Sequence, residues 1–199
     1  MGKARVAIFI GPKGRGSNML ALADSLAQPD FPGELAVVIS PKSDSPAALA
    51  VIERGVPLAV VDPKTAEDYG LALMEVLREH RADFLCLAGY LRLLPKPVLD
   101  AFPNRILNIH PALLPKFGGK GMYGNHVHEA VLAAGESESG CTVHFVTEHY
   151  DEGPPILQKR CPVQPDDTPE TLALRVLRLE HIAFSEALRK VLEEAGFGA

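Results

Sequence analysis

The chain has 199 residues, 47% of them hydrophobic and 23% charged, which suits one large domain with an ordinary globular core. Its net charge of −5 gives no general nucleic-acid footprint and no polybasic membrane anchor, so a phosphate-bearing ligand needs a local site. Three cysteines, Cys86, Cys141 and Cys161, form no CxxC pair and lie in apolar runs. They point to buried free thiols in a reducing compartment, not to a zinc ribbon or a disulfide framework.

Residues 5–11 form a continuous apolar run of the kind buried in a parallel sheet. The run is too short for a signal peptide or a membrane span, and Gly11-Pro12 stands where a cleavage site belongs. A cytoplasmic protein is expected. Residues 17–28 read as a helix with Ser17 at or near its N-cap. Residues 35–40 are a second strand, and 45–54 a second helix ended by Gly55. Residues 56–61 and 65–80 repeat the pattern. Residues 84–87 are a fourth strand, followed by an irregular stretch through Pro95 and Pro97, and 106–109 a fifth. This order predicts a parallel sheet with helices on both faces and ligands beyond the carboxyl ends of the strands.

The second half changes character. Residues 111–124 are a long loop rich in Gly, Pro and Lys, and 125–134 a helix. Strands at 141–146 and 156–163 flank a polar segment, and their close spacing favours an antiparallel pair. Residues 168–194 form a long helix with Pro169 in its first turn. No repeat or linker divides residues 1–199, so one domain with about seven strands is expected.

Three places carry chemistry. Gly14-Arg15-Gly16-Ser17-Asn18 joins the first strand to the first helix, where converging N–H groups suit an anion. It is neither a Walker A motif nor G-x-G-x-x-G. Asn108 and His110 alternate on the fifth strand and so share a face, about 7 Å apart. An amide and an imidazole there can hold a carbonyl and exchange a proton near neutral pH. Asp151 lies in the polar segment His149-Tyr150-Asp151-Glu152-Gly153, either as a partner for an imidazole or as a turn former. The other histidines complete no ligand spacing, so no metal is expected. His144 reads as a structural or supporting group. Glu180 sits between apolar neighbours in the last helix, which suits partial burial or ligand contact.

Two stretches settle how these fit together: Leu107-Asn108-Ile109-His110-Pro111-Ala112-Leu113-Leu114-Pro115, and residues 140–163 with Thr142-Val143 and Asp151-Glu152-Gly153. With them the chain resembles the formyltransferases that use 10-formyltetrahydrofolate, most closely the branch acting on phosphoribosylglycinamide (GAR) in purine biosynthesis. The resemblance implies a Rossmann-like α/β formyltransferase fold, with an N-terminal half binding GAR and a C-terminal half that is folate-binding and catalytic. It implies Asn108, His110 and Asp151 as the catalytic trio. It places Gly16, Ser17 and Asn18 at the GAR phosphate and Glu180 on GAR. Leu91, Arg92, Leu93, Leu94, Asn108, Thr147 and Asp151 fall at the folate, with Lys64 as a candidate for its tail. The expected partners are these two small molecules, with no nucleic acid, membrane or metal, in a monomer or homodimer. In this scheme Asp151 raises the proton affinity of His110.

Two features depart from the family pattern. The loop at 116–124 is longer than in many relatives and suits either a lid near GAR or an exposed loop. Lys13 and Arg15 add charge beside the glycines. Among the alternatives, a hydrolase that releases formate from the same cofactor keeps the trio, although such relatives usually carry an N-terminal regulatory domain. A transferase acting on initiator tRNA calls for a basic RNA-binding surface, and a non-catalytic binding module leaves the trio unexplained.

Overall fold

A computed structural model describes residues 2–198. Strand and helix alternate as β1 (Ala4–Ile10), α1 (Ser17–Leu26), β2 (Gly33–Ser40), α2 (Pro46–Glu53), β3 (Leu58–Val60), α3 (Tyr69–Glu79) and β4 (Phe84–Ala88). They continue as α4 (Lys96–Ala101), β5 (Ile106–His110), α5 (Asn125–Ala133), β6 (Glu138–Phe145), β7 (Pro155–Pro162) and α6 (Pro169–Glu194). The strands form one sheet in the order β3-β2-β1-β4-β5-β6-β7. The first five are parallel, whereas β5–β6 and β6–β7 are antiparallel.

Both faces of the central strands are buried, which is why they read as continuous apolar runs. Val6, Ile8 and Ile10 face a core closed by α1, α2, α5 and α6, while Ala7 and Phe9 face a second core closed by α3 and α4. The 26 residues of α6 cross the back of β6 and β7 and bury Leu172, Val176, Phe184 and Leu188. Thr168 caps this helix reciprocally with Thr171.

Several local expectations shift. The stretch through Pro95 and Pro97 is not irregular: Pro95 is the N-cap of α4 and Pro97 lies in its first turn. Helix amides there have no intrahelical acceptor, so proline costs nothing. Helix α3 begins at Tyr69, four residues later than expected, because Asp68 caps it by accepting from the Leu71 N–H. The preceding turn closes on Asp62, whose carbonyl accepts from the Thr65 and Ala66 amides. Ser17 is the first helical residue of α1 and not its cap. Gly16 holds the cap position at φ +76°, and a Cβ there would sit 2.8 Å from the Ala47 Cβ.

Candidate active site

The carboxyl ends of β4 and β5 open onto a cavity of about 830 Å³. Asn108, His110 and Asp151 all line it. Antiparallel pairing sets Asn108 opposite His144 and His110 opposite Thr142. Thr142 is fully buried and anchors the turn beyond the strand: its hydroxyl donates to the Ala112 carbonyl at 2.7 Å and accepts from the Leu114 amide and from Gln158. The chain therefore leaves β5 along a fixed path just past His110.

Asp151 adopts φ +57° in the loop between β6 and β7 and reaches back across 41 residues to the imidazole. Its Oδ2 lies 3.4 Å from His110 Nδ1 and accepts from the Gly119 N–H at 2.9 Å. On the far side of the ring, Nε2 lies 2.8 Å from the Phe117 carbonyl oxygen. Both nitrogens of His110 thus face acceptors, an arrangement satisfied in full only by imidazolium. Burial acts the other way and is the larger effect. His110 lies below its ordinary value, against the upward pull of Asp151 and the Phe117 carbonyl. Asp151 does raise the proton affinity of the ring, as expected, and burial more than offsets it. For Asp151 itself, burial pushes the carboxyl up, but His144, His110 and the Gly119 N–H outweigh it and hold the group below its usual value.

One end of the cavity is apolar. Leu87, Leu94 and Val146 form its wall, and Leu91 and Leu93 stand half-exposed at its edge with Arg92. Thr147 and the segment to Asp151 close the same end. The other end, toward α6, holds a polar pair beside Ala173, Leu174 and Leu177. Asn18 Nδ2 donates to Glu180 Oε2 at 2.6 Å, and Asn18 Oδ1 is buried without a partner among the described residues. Burial pushes the Glu180 carboxyl up, opposed by the Asn18 hydrogen bond. Gly16 and Ser17 adjoin this end through the start of α1 but do not line the cavity, and Lys13 and Arg15 are exposed. Lys64 lies in the turn before α3, away from the cavity lining.

The loop at 116–124 is part of the wall. Gly119 through Gly124 line the cavity, while Phe117 and Gly119 touch the His110–Asp151 pair. Gly118 permits this approach, since a Cβ there would come 3.2 Å from the Asp151 Cβ. Two further histidines line the cavity, one read from the sequence only as a structural or supporting group and one given no role there. His144 lies with its Nε2 3.1 Å from Asn108 Nδ2 and 3.5 Å from Asp151 Oδ1. His128, buried on α5, is held below its ordinary value by burial and then by nearby His110. The place of His144 in an apolar strand gave it a structural or supporting role, but no local signal marks His128. Among the described residues no His, Cys, Asp and Glu group is disposed to hold a metal, and no helix is long and apolar enough to cross a membrane. The three cysteines are buried and free, and burial pushes Cys141 up to about 12.

Fold and site together define an α/β protein with an amide, an imidazole and a carboxylate lining one cavity at the carboxyl edge of the sheet. The chain belongs to the formyl transferase family, whose model matches residues 4–188. It is 42% identical over 196 residues to the chloroplastic phosphoribosylglycinamide formyltransferase of Arabidopsis thaliana, covering 96% of this chain and 66% of that protein. It thus spans just under two thirds of the length of that plant relative. Glycinamide ribonucleotide transformylase 1 from Symbiobacterium toebii superposes with a TM-score of 0.88 at 41% identity, covering 96% of this chain and 89% of that one. A formyltetrahydrofolate deformylase from Pseudomonas syringae pv. tomato also shares the fold, with a TM-score of 0.83 at 26% identity over 96% of this chain and 62% of that one.

Proposed function

We propose that this chain transfers the formyl group of 10-formyltetrahydrofolate to the amine of GAR, a step in the making of purines. The observation that carries the reading is the shape of one cavity. The His110–Asp151 pair and Asn108 sit between an apolar end suited to a flat heterocycle and the polar pair of Asn18 and Glu180 at the other end. Two substrates can meet there at a carbonyl. The relatives at 41–42% identity, a phosphoribosylglycinamide formyltransferase and a glycinamide ribonucleotide transformylase, are named for formyl transfer to this acceptor. Residues 1–199 then act as a single domain on small molecules, in a reducing compartment such as the cytoplasm, and Gly16 and Ser17 lend the start of α1 to the acceptor's phosphate.

The neutral glycyl amine attacks the formyl carbon, and its lone pair becomes the new C–N bond. The carbonyl electrons move onto oxygen, where the Asn108 amide donates to the oxyanion. His110 starts neutral. It takes the amine proton directly or through a water held by Asp151, and the resulting imidazolium finds Asp151 and the Phe117 carbonyl already in place. The oxyanion then collapses, the bond to the folate nitrogen breaks, and the proton passes to that nitrogen. Formyl-GAR and tetrahydrofolate leave. No metal and no covalent intermediate is needed.

The test is formyl transfer by the purified protein, with His110→Ala and Asp151→Asn beside it. Each substitution is expected to lower kcat/KM by about 10²-fold or more. Undiminished transfer in both overturns the assignment of the trio. Formate release at an undiminished rate without GAR favours a hydrolase instead, against the Asn18–Glu180 end of the cavity.

A further inference from the structure

We propose that His144 is a positioning residue that fixes the direction of the Asn108 amide; this rests on the transfer reading above. A β-bulge between Val143 and His144 turns the ring out of the regular ladder toward the site, and its side chain is almost fully buried. Its Nδ1 lies 2.8 Å from the Phe145 carbonyl oxygen, which can only accept, so Nδ1 carries a proton. Its Nε2 lies 3.1 Å from Asn108 Nδ2, which can only donate, so Nε2 presents its lone pair. The tautomer set at Phe145 thereby sets the amide: one Asn108 N–H is spent on His144, and the second remains for the cavity. An amide free to rotate would spend part of its time offering its carbonyl to the developing oxyanion, which repels it.

Asp151 Oδ1 is the competing partner for Nε2, at 3.5 Å. A proton on Nε2 would be the source of the His144 contribution that lowers Asp151, but it would meet the closer Asn108 NH₂ donor to donor. The shorter contact therefore assigns His144 to Asn108.

Two substitutions separate the ring's two nitrogens. His144→Asn keeps a donor near Nδ1 for the Phe145 carbonyl and removes the acceptor at Nε2. His144→Gln restores an acceptor oxygen at the Nε2 position. His144→Asn is expected to lower kcat by about 10²-fold with KM for both substrates nearly unchanged, as loss of an oriented oxyanion donor does. His144→Gln recovers most of that loss. In an Asn108→Ala background His144→Asn costs nothing further, because the residue it acts through is gone. A loss that persists in Asn108→Ala and disappears in Asp151→Asn overturns the proposal and makes Asp151 the partner. A rise in KM at constant kcat also overturns it. The ¹H–¹⁵N signals of the Asn108 side chain give a readout free of turnover. Two well-separated amide protons, one slowly exchanging, are expected in the wild type and lost in His144→Asn; identical spectra sink the idea. A wild type that transfers no formyl group defeats the functional reading alone, and the spectra still decide the role of His144.

Discussion

Glu180 holds the sharpest conflict between burial and charge in the site. It is 8% exposed, its main partner is one neutral amide, and burial raises its carboxyl above the usual 4.5. The folded state binds this proton more tightly than the unfolded chain. The stabilisation from Glu180 is therefore fully present below the unfolded value and is lost as pH rises through the folded one. Glutamine copies the protonated acid and keeps the oxygen that Asn18 needs. Glu180→Gln is expected to raise the thermal midpoint at pH 8, with the advantage shrinking toward pH 4. The same change should raise KM for GAR. Equal midpoints at pH 8 would show that the buried carboxylate carries no penalty. A buried carboxylate kept for binding, as proposed for Glu180, would be a common trade between stability and function.

At the scale of elements, the site depends on the β6–β7 connection. That loop delivers Asp151, and its return into β7 runs so close to β6 that a Cβ on Gly153 would collide with the Phe145 carbonyl. That carbonyl is also the acceptor for His144. Gly153→Ala must therefore move the Asp151 loop, the carbonyl or both. A displacement near 1 Å at a reacting group costs about 10²-fold in rate. The expected result is a loss of kcat on that order in a protein whose circular dichroism spectrum stays native. Wild-type kcat in Gly153→Ala would show that the loop tolerates the shift. Elements also mark where the sequence was legible. Strand β5 was readable through its apolar alternation, and so was the pairing of β6 with β7. Helix α4 was hidden because two prolines read as breakers until one is placed at the cap and the other in the first turn.

At the scale of the molecule, the cavity draws on residues from Asn18 to Glu180, contributed by β4, β5, β6, α1, α5, α6 and three connecting segments. Ligands that fill it hold those elements together only in the folded state, so binding shifts the unfolding equilibrium. At 100 times its Kd a ligand adds about 2.7 kcal/mol. GAR with a non-reactive folate analogue should raise the thermal midpoint by several degrees, and Asn18→Ala should remove most of the increment due to GAR. An unchanged midpoint at saturating ligand would show that neither substrate binds here.

The sequence by itself determined the alternation of strand and helix, the antiparallel turn of the second half and the shared face of Asn108 and His110. Those features are local, since periodicity, caps and turns are set within a few residues. The tertiary structure alone decided that Asp151 meets His110, that Lys64 lies away from the cavity and that the loop at 116–124 forms part of its wall. It also decided which influence on the imidazole's proton affinity is the larger. The sequence places a carboxylate within reach of consideration, but only the packing shows that burial of His110 outweighs it. Desolvation depends on everything that surrounds a group, and no window of neighbouring residues contains that information.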